Sequence, residues 1–173
     1  GDYDIFVTVF NSNLSSIIYS TFLGGSEDDN PQDMLIGTSS LYLTGFTESE
    51  DYPVTSGAYD TTFNESQDVF VSRLNLNLSS LWASTYIGGD DNDISNSIEM
   101  NSDGDIVITG YMKEGSDENY PTTSGAYDTT HNGGNYDAFV SILSYTLSDL
   151  DASTFLGGSN NADYAYSLCF DSD

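Results

Sequence analysis

Ser84-Thr85-Tyr86-Ile87-Gly88-Gly89 occurs three times in this chain with small changes. The other two versions are Ser20-Thr21-Phe22-Leu23-Gly24-Gly25 and Ser153-Thr154-Phe155-Leu156-Gly157-Gly158. A second motif precedes each version at the same distance, and its forms are Asp4-Ile5-Phe6-Val7, Asp68-Val69-Phe70-Val71 and Asp137-Ala138-Phe139-Val140. Motifs that recur in a constant order and at a nearly constant period indicate tandem copies of one structural unit, each packed on its neighbours.

The second copy predicts four short strands, rich in β-branched and aromatic residues. They are Asp68–Asn75, Leu81–Ile87, Ser95–Met100 and Asp105–Tyr111. No stretch has helical periodicity over a length that would predict a helix. Four antiparallel strands in each unit, stacked unit on unit, are typical of β-propeller blades. The predicted fold is therefore all-β, an open segment of about 2.7 blades that does not close into a ring by itself.

The repeat divides the chain into residues 1–64, 65–133 and a partial copy, 134–173. A linker lies in each of the first two copies, at Tyr52–Thr62 and Tyr120–Thr130. Proline excludes a central strand there, and the aromatic residues predict a packed crossover.

The motifs together resemble the SBBP β-propeller repeat family. In the second copy they are Asp68–Val71, Ser84–Gly89, Thr109-Gly110 and Pro121–Asp128, and the resemblance extends over essentially the whole chain. It implies a β-propeller, proposed as seven-bladed for the family, in large secreted or surface proteins. It implies no catalytic residues.

Gly1-Asp2-Tyr3-Asp4 matches Gly134-Asn135-Tyr136-Asp137, so the first residue is expected to lie inside a linker. Asp171-Ser172-Asp173 matches Asn101-Ser102-Asp103, which precedes a fourth strand. The third copy is thus expected to contain three strands, with an unpaired edge after Leu168–Phe170. Seven blades would need roughly 460 residues. Two interpretations remain open: a segment of a longer polypeptide, or a subunit whose ends are completed by neighbouring copies, as in a filament or lattice.

Composition favours an extracellular or cell-surface location. The chain has 28 acidic residues, 21 of them Asp, against Arg73 and Lys113, and its net charge is −26. Such charge is either solvated surface or needs screening by salt or bound cations. It excludes nucleic acid and anionic membrane surfaces as direct partners. No apolar run reaches the roughly 18 residues of a membrane span.

The predicted fold requires no cofactor, and calcium is the candidate ligand. Acidic loops follow the first two glycine pairs and supply the predicted ligands, which are Asp28, Asp29, Asp90, Asp91 and Asp93. Clustered carboxylate oxygens suit Ca²⁺, although Asp and Asn are also ordinary turn residues.

Three Asn-x-Ser sequons predict glycosylation at Asn13, Asn64 and Asn77. The single cysteine, Cys169, aligns with Glu99 and is expected on an outward-facing strand position. His131, the single histidine, aligns with Phe63, which predicts a packing or surface position. No nucleophile elbow, phosphate loop or histidine-rich metal motif occurs, so no catalytic residue is predicted.

The predicted function is a non-enzymatic extracellular protein, structural or adhesive, whose partners are copies of itself or the rest of a longer polypeptide. One alternative is a propeller module of a larger secreted protein that binds a surface glycan or a protein. Another is an accessory domain of a secreted hydrolase, which the lack of an asymmetric, chemically rich motif disfavours.

Overall fold

The computed structural model describes residues 1–64, 66–113 and 120–170, which form β-strands and no helix. The strands are β1 (Ile5–Phe10), β2 (Ile17–Leu23), β3 (Asp29–Ile36), β4 (Ser40–Thr47), β5 (Asp68–Asn75), β6 (Leu81–Ile87), β7 (Asp93–Met100), β8 (Ile106–Lys113), β9 (Tyr136–Leu143) and β10 (Leu150–Leu156). They form two four-stranded antiparallel sheets, β3-β4-β5-β6 and β7-β8-β9-β10, and a two-stranded sheet, β1-β2. The all-β prediction of open, propeller-like blades is confirmed.

The sheets are out of phase with the sequence copies. In each four-stranded sheet the first two strands come from one copy and the last two from the next copy. The glycine pair Gly88-Gly89 ends β6 and carries the chain into the next sheet, where β7 packs against β3 and β4. The longer linker instead lets β4 turn back and pair with β5. A sheet therefore does not coincide with any of the segments 1–64, 65–133 and 134–173.

The Thr-Gly motif marks a bulge in the neighbouring strand. The register of β7 on β8 shifts between Ser95 and Ser97, opposite Thr109 and Gly110. A side chain at Gly110 would overlap the carbonyl group of Ile94, so only glycine fits this close approach. Thr109 donates a hydrogen bond from Oγ1 to the Phe139 carbonyl at 2.6 Å and thereby ties β8 to β9.

Two apolar cores hold the sheets together. One lies between the four-stranded sheets and includes Val71, Ile98, Ile108 and Leu143. The other lies between the β1-β2 sheet and the first four-stranded sheet, around Ile5, Leu43, Phe70 and Tyr86. Tyr52 and Tyr120 are 2% and 3% exposed in these cores, so both linkers are packed crossovers, as predicted.

The third strand predicted for the third copy is not formed in its described part. Residues 163–170 lack strand structure, and Leu168–Phe170 is therefore not a strand edge. The segment packs beside β7 instead, where Asn96 donates a side-chain hydrogen bond to the Ala165 carbonyl at 2.8 Å. A strand needs a pairing partner, and no strand of the described residues pairs with this segment.

Candidate functional site: the half sheet and the buried acids

The β1-β2 sheet, called the half sheet below, exposes an aromatic face that the other sheets bury. Phe6 and Phe22 are 70% and 77% exposed. Their equivalents are Phe70 and Tyr86 in the first four-stranded sheet and Phe139 and Phe155 in the second, none of them more than 2% exposed. The same local sequence is thus fully covered twice and bare once. Exposed apolar patches of this kind are typical of interaction surfaces.

A groove of ≈ 480 Å³ adjoins this face, between β1 and the edge strand β3. Phe6, Phe10, Pro31 and Met34 line it. Pro31 lies where the register of β3 on β4 shifts, so the outer edge of β3 is irregular beside the groove. Phe6 belongs to both the exposed face and the groove.

The predicted calcium ligands separate into buried and surface residues. Asp29 and Asp93 begin β3 and β7 and are 2% and 1% exposed, whereas Asp28, Asp90 and Asp91 are partly exposed. Asp91 pairs with Lys113 at 2.9 Å, and Asp90 also has an interaction partner. Within the described ranges, no three acidic, histidine or cysteine side chains are grouped so as to hold a metal ion. The calcium assignment stays a prediction.

The glycine pairs lie against buried aspartates that the sequence reasoning missed as a group. Asp68, at the start of β5, and Asp93 both flank Gly88, and each is hydrogen-bonded through Oδ2 alone. Among the described residues, neither Oδ1 atom has a hydrogen-bond partner. Burial raises the pKa of Asp68 to about 7, and it raises the pKa of Asp93 well above its usual value. The sequence signal that could have revealed these buried aspartates was the recurrence of the Asp4-x-Phe-Val motif together with the Gly-Gly motif.

Asp29 occupies the equivalent place in the previous copy and is better satisfied. It accepts hydrogen bonds from Thr47 Oγ1 at 2.5 Å, from the Gly25 amide at 2.6 Å and from Ser49 Oγ at 3.3 Å. Burial still raises the pKa of this carboxyl group.

His131 occupies a packing position, as its alignment with Phe63 predicted. His131 is 5% exposed, and its ring meets the ring of Phe155 edge-on at a centroid distance of 6.4 Å. Phe63 makes the equivalent contact with Tyr86, at a ring-centroid distance of 5.9 Å. Its Nδ1 accepts a hydrogen bond from the Gly133 amide, and its Nε2 lies 3.9 Å from Asp137 Oδ1. The imidazole thus replaces a phenyl ring beside Asp137, a fourth buried aspartate.

Two of the predicted sequons lie on equivalent exposed turns. Asn13 and Asn77 are exposed, and each Oδ1 accepts a hydrogen bond from the Ser hydroxyl two residues later, at 2.7 and 2.6 Å. Asn64 is partly buried beside Asp68, and its sequon includes Glu65, outside the described residues. Cys169 is exposed, as expected, but the strand predicted to carry it is not formed. Glycosylation itself stays a prediction.

Two aromatic groups were not predicted. Tyr111, Tyr136, Tyr164 and Tyr166 form a tyrosine cluster with neighbouring ring centroids 4.7–6.0 Å apart, and Tyr166 is 70% exposed. The guanidinium carbon Cζ of Arg73 lies over the rings of Tyr42, Trp82 and Tyr145, at 5.6, 5.2 and 5.5 Å from the ring centroids. Both groups join residues from different copies, so no single motif could reveal them.

Comparison of the chain with protein-family models and with curated proteins finds no match. Among the described residues there is no helix long and apolar enough to cross a membrane.

Proposed function

We propose that this chain is a structural or adhesive element of an extracellular, non-enzymatic repeat protein, and that it assembles with further repeat units through the half sheet. The single observation that carries the proposal is the 70% exposure of Phe6, against 0% for Phe70 and Phe139 in the same motif. A phenyl ring that is exposed in the first copy and buried in the other two marks a surface that another unit covers.

The acidic composition supports the extracellular location, because a net charge of −26 keeps such a chain soluble and away from polyanions. The resemblance to the SBBP repeat is part of the same proposal, since it implies secreted or surface proteins without a characterised active site. Calcium, held by the acidic loops, is the proposed counterion.

The experiment is sedimentation velocity over a range of protein concentrations. We expect the wild-type chain to self-associate and the double variant Phe6→Ser/Phe22→Ser to stay monomeric. The control is Tyr127→Ser, which removes an aromatic ring that is 87% exposed and lies outside the half sheet. A wild-type chain that stays monomeric at every concentration contradicts the proposal.

A second candidate function is glycan binding at the tyrosine cluster. Tyr164 and Tyr166 are 42% and 70% exposed, and their rings stack at 6.0 Å, which gives a flat aromatic surface of the kind that sugar rings contact. The test is tyrosine fluorescence titrated with neutral oligosaccharides, with Tyr166→Ala as the comparison. An unchanged signal in wild type excludes this candidate.

A further inference from the structure

In both four-stranded sheets, a linker tyrosine covers the aromatic face. The ring centroid of Tyr52 lies 4.8 Å from that of Phe70 and 6.2 Å from that of Tyr86. The ring centroid of Tyr120 lies 4.6 Å from that of Phe139 and 5.9 Å from that of Phe155. The half sheet has the corresponding pair, Phe6 and Phe22, but no described tyrosine lies over it.

The tyrosine hydroxyl also completes a polar contact beneath the ring. Tyr52 Oη is 3.0 Å from Ser72 Oγ, which is 2.7 Å from Ser84 Oγ. Tyr120 Oη makes the same contact with Ser141 at 3.1 Å, and Ser141 lies 2.8 Å from Ser153. In the half sheet the equivalent hydroxyl groups are those of Thr8 and Ser20, 2.9 Å apart and open to solvent. They form a hydrogen-bonding site matched to a tyrosine hydroxyl.

A threonine of the linker pairs with the outer edge of the sheet. The Thr55 amide donates to the Ser84 carbonyl at 3.0 Å, and the Ser84 amide donates to Thr55 Oγ1 at 2.9 Å. Thr123 makes the same two bonds with Ser153, at 3.1 and 3.0 Å. The equivalent residue of β2 is Ser20, which no linker reaches in the described part of the chain.

An aspartate of the linker then binds the next two residues of the edge. The Asp60 amide donates to Thr85 Oγ1 at 2.9 Å, and the Tyr86 amide donates to the Asp60 carbonyl at 3.1 Å. Asp128 repeats these contacts with Thr154 and Phe155. On β2 the matching residues are Thr21 and Phe22. The edge of the half sheet therefore has the same side chains that hold a linker elsewhere.

From these contacts we infer that the half sheet is the docking site for a third linker with the pattern Tyr-Pro-x-Thr-Ser-Gly-Ala-Tyr-Asp, supplied by a further repeat unit. The inference rests on the proposed assembly function and names its partner. Both linkers of this chain have this pattern, at Tyr52–Asp60 and Tyr120–Asp128. Each linker already covers a sheet of its own chain, and its withdrawal would expose Phe70 or Phe139 to solvent. A second copy of the described chain could therefore supply the third linker only by losing hydrophobic burial of its own.

The probe is a synthetic peptide of residues 51–64 with a fluorescent label, titrated with the 173-residue chain and followed by anisotropy. Salt at 0.5 M screens the repulsion between the acidic peptide and the acidic chain. We expect saturable binding, at least tenfold weaker for the Tyr52→Ala peptide, and also weakened by Thr55→Val. A scrambled peptide is the matched control for composition and charge. These peptide variants leave the fold of the protein unchanged.

On the protein side, Phe6→Ser/Phe22→Ser abolishes peptide binding, while Tyr127→Ser leaves it unchanged. The peptide also dissociates the self-associated wild-type chain, because both compete for one face. Equal binding of the scrambled peptide overturns the inference. Absence of peptide binding by a chain that still self-associates through Phe6 and Phe22 overturns the linker as partner and leaves the assembly function standing. Absence of both effects overturns the two together.

Discussion

At the residue scale, the buried aspartates explain why each copy ends its second strand with glycine. A side chain at Gly88 would overlap the carboxylate of Asp68, and one at Gly157 would overlap that of Asp137. Asp68 belongs to one sheet and Asp93 to the next, so the two carboxyl groups lie at a junction between sheets. A buried carboxyl group with an unpartnered oxygen is most stable in its protonated form.

This arrangement predicts a stability that falls as the pH rises. Burial raises the pKa of Asp68 from 3.8 to about 7, so the folded state holds its proton where the unfolded state has lost it. The contribution of Asp68 to the free energy of unfolding is complete below pH ~4 and is lost as the pH rises through 7. The free energy of unfolding changes by at most about 1.4 kcal/mol per pH unit for this group. Urea unfolding of Asp68→Asn between pH 4 and 8 should give a shallower decline than wild type. Asp103→Asn, an exposed turn residue with the same charge change, is the control, and an equal slope in all three proteins contradicts the prediction.

At the element scale, three equivalent hairpin turns place a leucine in the left-handed region. Leu14, Leu78 and Leu147 have φ angles of 57°, 58° and 58°. Side chains with a Cβ atom are disfavoured there. Leu78 and Leu147 are 6% and 0% exposed and offset the strain by packing, whereas Leu14, in the half sheet, is 75% exposed. The left-handed turn recurs because the local sequence recurs, but the net effect of its strain on stability depends on whether the leucine side chain is buried.

Substitution of glycine for leucine should therefore have opposite effects on the free energy of unfolding at the exposed and the buried turns. Leu14→Gly relieves the strained φ angle without loss of burial, and we expect the free energy of unfolding to stay level or rise by up to about 1 kcal/mol. Leu78→Gly removes a buried side chain and should lower it by roughly 2–4 kcal/mol. Thermal and urea unfolding of the two variants check this. A large loss for Leu14→Gly would mean that its side chain packs in solution, contrary to the structure.

At the scale of the whole molecule, charge is nearly uncompensated. Arg73 is held by three aromatic rings, and Lys113 pairs with Asp91 at 2.9 Å, so both basic side chains are already engaged. The remaining negative charge repels itself over a distance that ~0.1 M salt limits to roughly 10 Å. Ions in solution are thus the available counter-charge.

The melting temperature should accordingly rise with salt. We expect a steady increase from 10 mM to 1 M NaCl. If the acidic loops bind calcium, CaCl₂ should raise the melting temperature more than MgCl₂ at equal ionic strength, and EDTA should reverse the difference. Equal effects of the two divalent ions would assign the stabilisation to screening alone. A melting temperature that does not respond to any salt would show that the charge is solvated surface.

The sequence by itself predicted where the strands of the second copy lie along the chain, although it also predicted a strand ending at Leu168–Phe170 that is not formed. Asp68–Asn75 and Leu81–Ile87 were predicted to the residue, because β-branched and aromatic runs between turn residues define strands locally. The packed linkers also followed from local composition, through Pro53 and the aromatic residues around it. The position of His131 followed from its alignment with Phe63, since equivalent residues of a repeat meet equivalent surroundings.

The tertiary structure alone decided how the copies combine and which faces are covered. A tandem period does not say where a sheet begins. The expectation that the four strands of one copy form one blade was therefore wrong, because β4 pairs with β5 across the linker and β6 does not pair with β7. Phe6 and Phe70 have the same local sequence, yet one is 70% exposed and the other 0%, because burial depends on what a distant segment brings over the ring. The burial of Asp68 and Asp93 is likewise a property of the junction between sheets. Local sequence sets the conformation of a strand, and contacts between distant segments set its pairing, its burial and the surface left for a partner.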